Sequence, residues 1–298
     1  MRRGTLGLLL AVALLGAPGP RGMVRAEPVQ LRHDGRTLNA DLALPTDGSP
    51  ADGLVILVHG TLMHGRMEIM AALQRHLAAR GVASLAITLS LGLDDRRGPY
   101  ECATPHRHTL NQTADEIGAW TRWARERGAR HVDLAGHSRG GAQVAYALAI
   151  KAASDVRRAV LIAPATFDAG DVATGYEKTF GLPLPPLLAG AMGLVAAPGA
   201  LLRPVGFLHC RDTAVAPRTF LDTYTGPERH DTPSLLVQFA TPTLIMVAGN
   251  DEIVRGLGPR VRTVPGHVRV VSIDGADHSF RDLHGEDLAD AVAAFLKQ

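Results

Sequence analysis

Residues 130–151, RHVDLAGHSRGGAQVAYALAIK, decide the fold of this chain. Residues 130–135 are short and alternating enough to form a strand, and residues 141–151 have the pattern of a helix. Between them stands Gly136-His137-Ser138-Arg139-Gly140, a G-x-S-x-G element. A sharp turn from strand to helix strains the backbone of the serine and holds its hydroxyl clear of the sheet. The stretch therefore predicts a reactive serine at the end of a strand.

The alternative interpretation is a glycine-rich turn in which Ser138 only caps the following helix, a role that serine performs well. Two glycines in succession, Gly140 and Gly141, favour the strained turn. A Cβ atom beside such a bend would collide with the neighbouring strand or helix, whereas an ordinary cap requires no such close packing.

The first 26 residues have the pattern of a secretory signal peptide. Arg2 and Arg3 precede an apolar run that ends at Leu15, and small residues stand where a signal peptidase would cut after Ala26. The run is too short to span a bilayer. We therefore expect an exported protein, periplasmic or secreted, with a retained membrane anchor as the alternative.

Removal of this segment would change the charge of the chain. The segment carries four arginines and no acidic residue, which leaves 27 Lys and Arg against 29 Asp and Glu in the remainder. Nucleic-acid binding needs a concentrated basic surface. The composition thus argues against a nucleic-acid partner and leaves a small molecule as the expected one.

The spacing of short apolar runs predicts an α/β fold for residues 27–298. A hairpin is expected near the N-terminus around Asp34-Gly35. Further strands are expected at residues 54–58, 82–89, 130–135, 159–162, 243–247 and 268–272. Helices are expected at residues 66–80, 110–127, 141–151 and 288–296, with another after Asp251. This alternation predicts a mostly parallel central sheet flanked by helices, with the antiparallel hairpin at its edge.

The alternation stops between about residues 164 and 240, where Gly and Pro are frequent and no strand pattern is visible. We expect this stretch to be a cap inserted over the C-terminal ends of the strands, where such sheets bind ligands. Residues 180–202 within it carry no charge, and their four prolines argue against a membrane span. Their apolar side either walls a pocket for a lipophilic group or packs on the body without touching substrate.

Two loops downstream of Ser138 supply the groups that would activate it. A serine hydroxyl is a poor nucleophile unless a base takes its proton and an acid orients that base. Asp251 follows one predicted strand, and His278 lies between the last strand and the last helix. Carboxyl ends of parallel strands meet at one sheet edge, so all three side chains are expected to converge there.

Over residues 28–298 the chain resembles the α/β-hydrolase fold superfamily of serine hydrolases and esterases. The resemblance rests on the G-x-S-x-G element and on the chain order Ser, Asp, His. It implies that Ser138 is the nucleophile, His278 the base and then the acid, and Asp251 the orienting carboxylate. No metal and no organic cofactor belong to this chemistry.

The resemblance also implies an oxyanion hole, the pair of donors that stabilises the developing negative charge. Its donors would be the backbone amides of Arg139 and of Thr61, which follows the pair His59-Gly60. Residues 95–98, Asp-Arg-Arg-Gly, resemble the D-x-R-G turn that commonly follows the fourth strand of this family. His59 is expected to tie the oxyanion loop together, and His137 to have a packing role.

Two positions depart from the family pattern. Only Asn250 separates Gly249 from Asp251, where the family usually has two residues, so Glu252 or Asp277 is an alternative acid. Arg139 is larger and more charged than the usual neighbour of the nucleophile. It forms either a salt bridge behind the turn, which we favour, or a contact with an anionic group of the substrate.

Other polar residues leave their roles open. Cys102 and Cys210 either form a disulfide in an exported protein or remain two buried thiols. The pair His106 and His108 is expected to be surface-exposed or hydrogen-bonded rather than metal-binding, because no acidic residue is near. Trp120 and Trp123 are expected to cover the sheet.

Together these features predict an exported serine hydrolase that cleaves carboxylic esters through an acyl-enzyme. The same three side chains also serve amide or peptide hydrolysis and acyl transfer, which stay open as alternatives. A binding protein that keeps the fold without catalysis is a further alternative, although it would give no reason to retain all three side chains.

Overall fold

The computed structural model describes residues 26–298. The predicted signal peptide lies outside the described residues except for Ala26, so export and cleavage stay predictions. The strands are β1 Glu27–His33, β2 Arg36–Ala43, β3 Leu54–Val58, β4 Ser84–Thr88, β5 Val132–His137, β6 Val156–Ile162, β7 Leu202–Phe207, β8 Cys210–Val215, β9 Thr243–Ala248 and β10 Val268–Ile273. The α-helices are α1 Glu68–Ala79, α2 Leu110–Glu126, α3 Arg139–Ala149, α4 Ala169–Phe180, α5 Leu184–Leu194, α6 Pro217–Tyr224, α7 Pro227–His230, α8 Thr232–Leu235, α9 Leu257–Arg260 and α10 Leu283–Leu296.

Eight strands form the central sheet in the order β1-β2-β4-β3-β5-β6-β9-β10. The hairpin β1–β2 is antiparallel, and β2 also pairs antiparallel with β4. From β4 to β10 all neighbours are parallel. The predicted fold class, a mostly parallel sheet with an antiparallel hairpin at its edge, is confirmed.

The apolar strands alternate between two helix layers because successive side chains in a strand point to opposite faces. In β3, Leu54, Ile56 and Val58 join the hydrophobic cluster that includes α2 and α3. Val55 and Leu57 join the cluster formed with α1 and α10 on the other face. The continuous apolar run of β3 is therefore explained by burial on both sides.

Helix α2 illustrates how the sequence sets a helix boundary. Thr109 accepts a hydrogen bond from the backbone of Gln112, whose side chain reaches back to the Thr109 backbone in a capping box. The buried face of the helix carries Trp120 and Trp123, which are 0% and 7% exposed and belong to the core cluster. The expectation that both tryptophans cover the sheet is confirmed.

The segment between β6 and β9, residues 163–242, contains more regular structure than its sequence pattern indicates. It consists of helices α4 to α8 and the antiparallel hairpin β7–β8. A hydrophobic cluster of its own holds it together, formed by Tyr176, Leu184, Ala191, Val205, Phe207, Val215 and Phe220. We call residues 163–242 the inserted segment below.

Two helices near the C-terminus differ from expectation. The helix expected after Asp251 is only α9, a four-residue turn that begins at Leu257. Helix α10 begins at Leu283 rather than at the predicted residue 288. The sequence pattern missed the first turn because its side chains are largely exposed and lack the apolar periodicity of the rest of the helix. Within residues 26–298 no helix combines the length and the apolar character needed to cross a bilayer.

Candidate active site

Ser138 occupies the sharp turn between β5 and α3. Its backbone has φ 57° and ψ −124°, a conformation that residues with a side chain rarely adopt. Although it stands at the N-cap position of α3, its side chain makes no capping hydrogen bond. The interpretation of Ser138 as an ordinary helix cap is therefore wrong.

Two glycines allow this turn because backbone passes directly over them. A Cβ on Gly136 would meet the backbone of Gly140, and a Cβ on Gly140 would meet the carbonyl oxygens of Val58 and His59. These neighbours are main-chain atoms of the sheet and the turn, so they cannot move aside as a side chain would. The close packing expected from the sequence is present at both positions.

Asp251 and His278 form a hydrogen-bonded pair. Nδ1 of His278 lies 2.8 Å from Oδ2 of Asp251, and their side chains are 15% and 6% exposed. The other carboxylate oxygen of Asp251 accepts hydrogen bonds from the backbone amides of Ile253 and Val254, at 2.7 and 2.8 Å. These bonds hold the carboxylate in one orientation toward the imidazole.

The other two acids make different contacts. Asp277 accepts a hydrogen bond from Nε of Arg281 at 2.6 Å. Glu252 is exposed, and its side chain makes no hydrogen bond or ion pair within the described residues. Of the three carboxylates considered, Asp251 is thus the one that contacts His278.

Backbone hydrogen bonds join the loops that carry these residues. The amide of Gly249 donates to Ile273, and the amide of Asn250 donates to Ala276, at 3.0 and 2.8 Å. Nε2 of His137 lies 2.8 Å from the carbonyl oxygen of His278, to which it donates. Burial lowers the pKa of His137 to about 4, so it is neutral near pH 7. The packing role expected for His137 therefore includes a direct tie between the nucleophile turn and the histidine loop.

Ser138 and His278 line the same open pocket, which has a volume of about 910 Å³. No hydrogen bond joins the two side chains among the described contacts. Such bonds are often long before substrate binds. The remaining walls combine apolar and polar side chains, among them Met63, Met67, Leu208, His209 and Ile253.

The inserted segment contributes Leu208 and His209 to this pocket, from the turn between β7 and β8. The uncharged residues 180–202 are absent from its lining, so of the two alternatives left open by the sequence, the one in which they wall this pocket is not supported. Helix α5 buries Leu184 and Ala191 inside the inserted segment and leaves Met192 67% exposed.

Two backbone amides near Ser138 have no acceptor among the described residues. They belong to Thr61, which lines the pocket, and to Arg139, the first residue of α3. Gly60 packs against Ser138, since a Cβ at position 60 would lie 3.4 Å from that of the serine. Free donors at these two places are what an oxyanion hole requires.

A hydrogen-bond network behind Thr61 holds its loop. Nε2 of His59 accepts from the backbone amide of Leu89 at 3.1 Å, and Nδ1 donates to the carbonyl of Gly60 at 2.8 Å. Burial and the nearby Arg96 lower the pKa of His59 to about 3, which keeps it neutral. The expectation that His59 ties this loop together is confirmed.

Arg96 is a supporting residue whose role was not predictable from the sequence pattern. Its guanidinium is buried and donates to the carbonyls of Leu89 and Met63, at 2.7 and 2.9 Å, and lies 3.2 Å from Nε2 of His59. It thereby connects the end of β4 to the loop that carries Thr61. In the D-x-R-G resemblance at residues 95–98 the arginine of the motif is Arg97, which is exposed and paired with Asp95, so the resemblance did not single out Arg96.

Cys102 and Cys210 form a disulfide that closes a sequence separation of 108 residues. It fastens the hairpin of the inserted segment next to Leu208 and His209, the residues that line the pocket. Among residues 26–298, the side chains grouped closely enough to ligate a metal are Cys102, His209 and Cys210, and both sulfurs are already joined.

His106 and His108 differ from what their sequence context suggested. Both are buried, at 0% and 7% exposure, and neither ring nitrogen of His106 has a hydrogen-bond partner among the described residues. The His106 ring stacks on Tyr100 with centroids 4.6 Å apart and also contacts Phe207. The prediction of an exposed or hydrogen-bonded pair is wrong for His106, which behaves as a packed aromatic ring.

Arg139 makes no salt bridge and no side-chain hydrogen bond with any described residue. The salt bridge behind the turn, which the sequence analysis favoured, is therefore not formed. Burial lowers the pKa of its guanidinium.

Comparisons with known proteins agree with this architecture. The model of the alpha/beta hydrolase family matches residues 55–295. A search of the curated proteins found no match. Similar solved structures include Est1E from Butyrivibrio proteoclasticus with bound ferulic acid (21% identity, 90% of this chain and 98% of that chain, TM-score 0.65). They also include the esterase domain of a Rhodothermus marinus protein (17% identity, 92% and 98%, TM-score 0.60). A third is the alpha/beta hydrolase GrgF from Penicillium sp. sh18 (16% identity, 92% and 98%, TM-score 0.65). The chain belongs to the alpha/beta hydrolase family.

Proposed function

We propose that this protein is a serine hydrolase that cleaves small-molecule carboxylic esters. The observation that carries the proposal is the convergence of three groups at one sheet edge. Ser138 stands in a strained turn on a pocket that His278 also lines, and His278 is hydrogen-bonded to the buried carboxylate of Asp251. This arrangement supplies a nucleophile, a base and an orienting acid.

The reaction would proceed through an acyl-enzyme. The hydroxyl of Ser138 attacks the ester carbonyl while Nε2 of His278 takes its proton, and the amides of Thr61 and Arg139 donate to the oxyanion. The imidazolium then protonates the leaving alcohol, and the carbon–oxygen bond breaks. Water next attacks the acyl group, gives a proton to His278, and releases the acid as the serine recovers its proton.

Esters are proposed ahead of amides because two of the structures with a similar fold, from Rhodothermus marinus and Pyrococcus furiosus, are described as esterases. The similar structure of Est1E holds ferulic acid, a small aromatic acid. The pocket of this chain is open, large enough for a substrate of that size, and partly apolar. Export to the periplasm or the medium is proposed from the N-terminal sequence alone.

The test uses a fluorophosphonate probe, which reacts with activated serines. The full chain should be labelled at Ser138, and Ser138→Ala should abolish both labelling and hydrolysis of 4-nitrophenyl esters. Ser279 lines the same pocket, so Ser279→Ala is the matched control that should still be labelled. Labelling that persists in Ser138→Ala, or an inert wild-type protein, would refute the proposal.

A further inference from the structure

Arg139 is a largely buried arginine for which residues 26–298 supply no partner. It directly follows Ser138, is largely buried, and has no salt bridge or side-chain hydrogen bond with the described residues. Among the other buried or half-buried arginines, Arg96 donates to backbone carbonyls and Arg157 and Arg229 form ion pairs. Arg158 contacts the ring of Phe295. Taking a cation out of water is costly unless an anion or several acceptors compensate it, so the position of Arg139 calls for an explanation.

The acid whose charge acts on Arg139 does not compensate it. Asp222 acts on the Arg139 charge, but one of its oxygens accepts from Arg229 at 2.8 Å and the other from the amide of Leu110 at 2.6 Å. This group of side chains holds one carboxylate and two guanidiniums. It therefore carries one uncompensated positive charge.

The histidines near this charge do not reduce it. Burial, reinforced by Arg139, lowers the pKa of His108 to about 3 and that of His230 to about 4. Both rings are neutral near pH 7 and leave the guanidinium as the unpaired charge. A bound anion would neutralise it.

Arg139 directly follows Ser138 in the chain, and Ser138 lines the pocket. The groups of the inserted segment that act on its charge are Tyr224 and Asp222, both on α6. The hydroxyl of Tyr224 accepts from the backbone amide of Leu208 at 2.8 Å, and Leu208 lines the pocket. Arg139 is not itself among the residues that line the pocket, but it is linked to that wall through Ser138 on one side and through Tyr224 and Leu208 on the other.

We propose that Arg139 binds an anionic group of the substrate, a carboxylate or a phosphate ester, and makes this enzyme selective for acidic esters. The inference rests on the proposed function, because it assigns Ser138 as the nucleophile. The backbone amide of Arg139 belongs to the oxyanion hole, whereas its side chain determines specificity. A guanidinium suits this task because its planar donors match the geometry of carboxylate and phosphate oxygens.

The experiment compares matched neutral and anionic esters on the full chain. In the first pair, mono-4-nitrophenyl succinate carries a carboxylate in its acyl part and 4-nitrophenyl butyrate does not. In the second pair, 4-acetoxybenzoate carries a carboxylate in its alcohol part, and its methyl ester does not. In Arg139→Met, the anionic-to-neutral ratio of kcat/KM should fall roughly 10- to 100-fold for at least one pair. Arg139→Lys should restore part of the ratio.

Arg281→Met is the matched control for a general effect of positive charge. Arg281 also lines the pocket, but its side chain is 68% exposed and paired with Asp277. Its removal should change the ratio by less than about threefold, as for a screened surface pair. An equal fall in both arginine variants, or unchanged ratios for both substrate pairs in Arg139→Met, would overturn the inference.

The outcome separates this inference from the proposed function. Turnover of the neutral esters and labelling of Ser138 depend on the hydrolase assignment alone. Hydrolysis with an unchanged anionic-to-neutral ratio refutes only the role of Arg139. Absence of hydrolysis and labelling refutes the proposed function, and the inference falls with it.

Discussion

Asp251→Asn tests the proposed acid with the smallest change of shape. The oxygen of Asp251 that accepts from Ile253 and Val254, at 2.7 and 2.8 Å, would be kept as the amide oxygen of Asn. The amide NH₂ would then face Nδ1 of His278, which now lies 2.8 Å from the other carboxylate oxygen. Two donors cannot face each other, so the imidazole proton must move to Nε2. In that tautomer Nε2 cannot take the proton of Ser138.

The expected loss is large because the base is disabled rather than weakened. Loss of the correct tautomer in a Ser-His-Asp triad lowers kcat by about 10⁴-fold. At 1.36 kcal/mol for each factor of ten, this equals about 5.4 kcal/mol of transition-state stabilisation. The melting temperature should change little, since the two backbone hydrogen bonds to residue 251 are preserved.

The assay measures kcat for a 4-nitrophenyl ester, with thermal unfolding as the check on folding. Glu252→Gln and Asp277→Asn are the matched controls, because both carboxylates line the same pocket without contacting His278. We expect each to stay within about tenfold of the wild type, a margin far below the loss for a disabled triad. A near-normal kcat in Asp251→Asn would refute the assignment, and a 10⁴-fold loss in a control would transfer the role to that residue.

Three further predictions concern the supports of the site. Arg96→Met should lower kcat up to about 10²-fold by loosening the loop of Thr61, as loss of an oxyanion donor does. Arg97→Met removes an exposed arginine and should leave kcat unchanged. A folded Arg96→Met variant with normal kcat would contradict this role. Reductant should raise the mass by two hydrogens and lower the melting temperature, since the Cys102–Cys210 disulfide closes 108 residues and is worth at most about 4–5 kcal/mol. Burial lowers the pKa of His108 to about 3 and that of His106 to about 4, whereas the unfolded chain protonates them near pH 6.5. The free energy of unfolding should therefore fall as pH drops from about 6.5 to 4, and the contribution of His108 to this slope approaches about 1.4 kcal/mol per pH unit. Urea titrations at several pH values measure the slope, which should be shallower in His106→Phe. An unchanged slope in that variant would contradict the prediction.

The parallel sheet was predictable because its signals are local. The apolar run of β3 and the strand–turn–helix pattern around Ser138 each lie within a few residues, and the alternation of elements leaves few topologies. The inserted segment was less predictable. The hairpin β7–β8 packs into the hydrophobic cluster of the inserted segment. Side chains from distant positions bury the hairpin, and its own interrupted apolar pattern does not predict that burial.

The candidate site also combines features that the sequence determined with features that it left open. The sequence by itself determined the residue types, their order and their places after the strands, which were enough to predict Ser138, Asp251 and His278. It left the choice among Asp251, Glu252 and Asp277 open, because adjacent loop residues are equivalent until a backbone conformation directs their side chains. In the structure, Asp251 is the one of these three that His278 contacts.

Only the tertiary structure decided the state of three other groups. It paired Cys102 with Cys210, packed His106 against Tyr100, and gave Arg139 no partner within residues 26–298. Each outcome depends on residues that are remote in sequence, since burial and charge pairing are properties of the folded surroundings and not of the side chain. The sequence shows that an arginine follows the proposed nucleophile. Whether its charge is paired depends on the folded surroundings, and within residues 26–298 they supply no salt bridge to it.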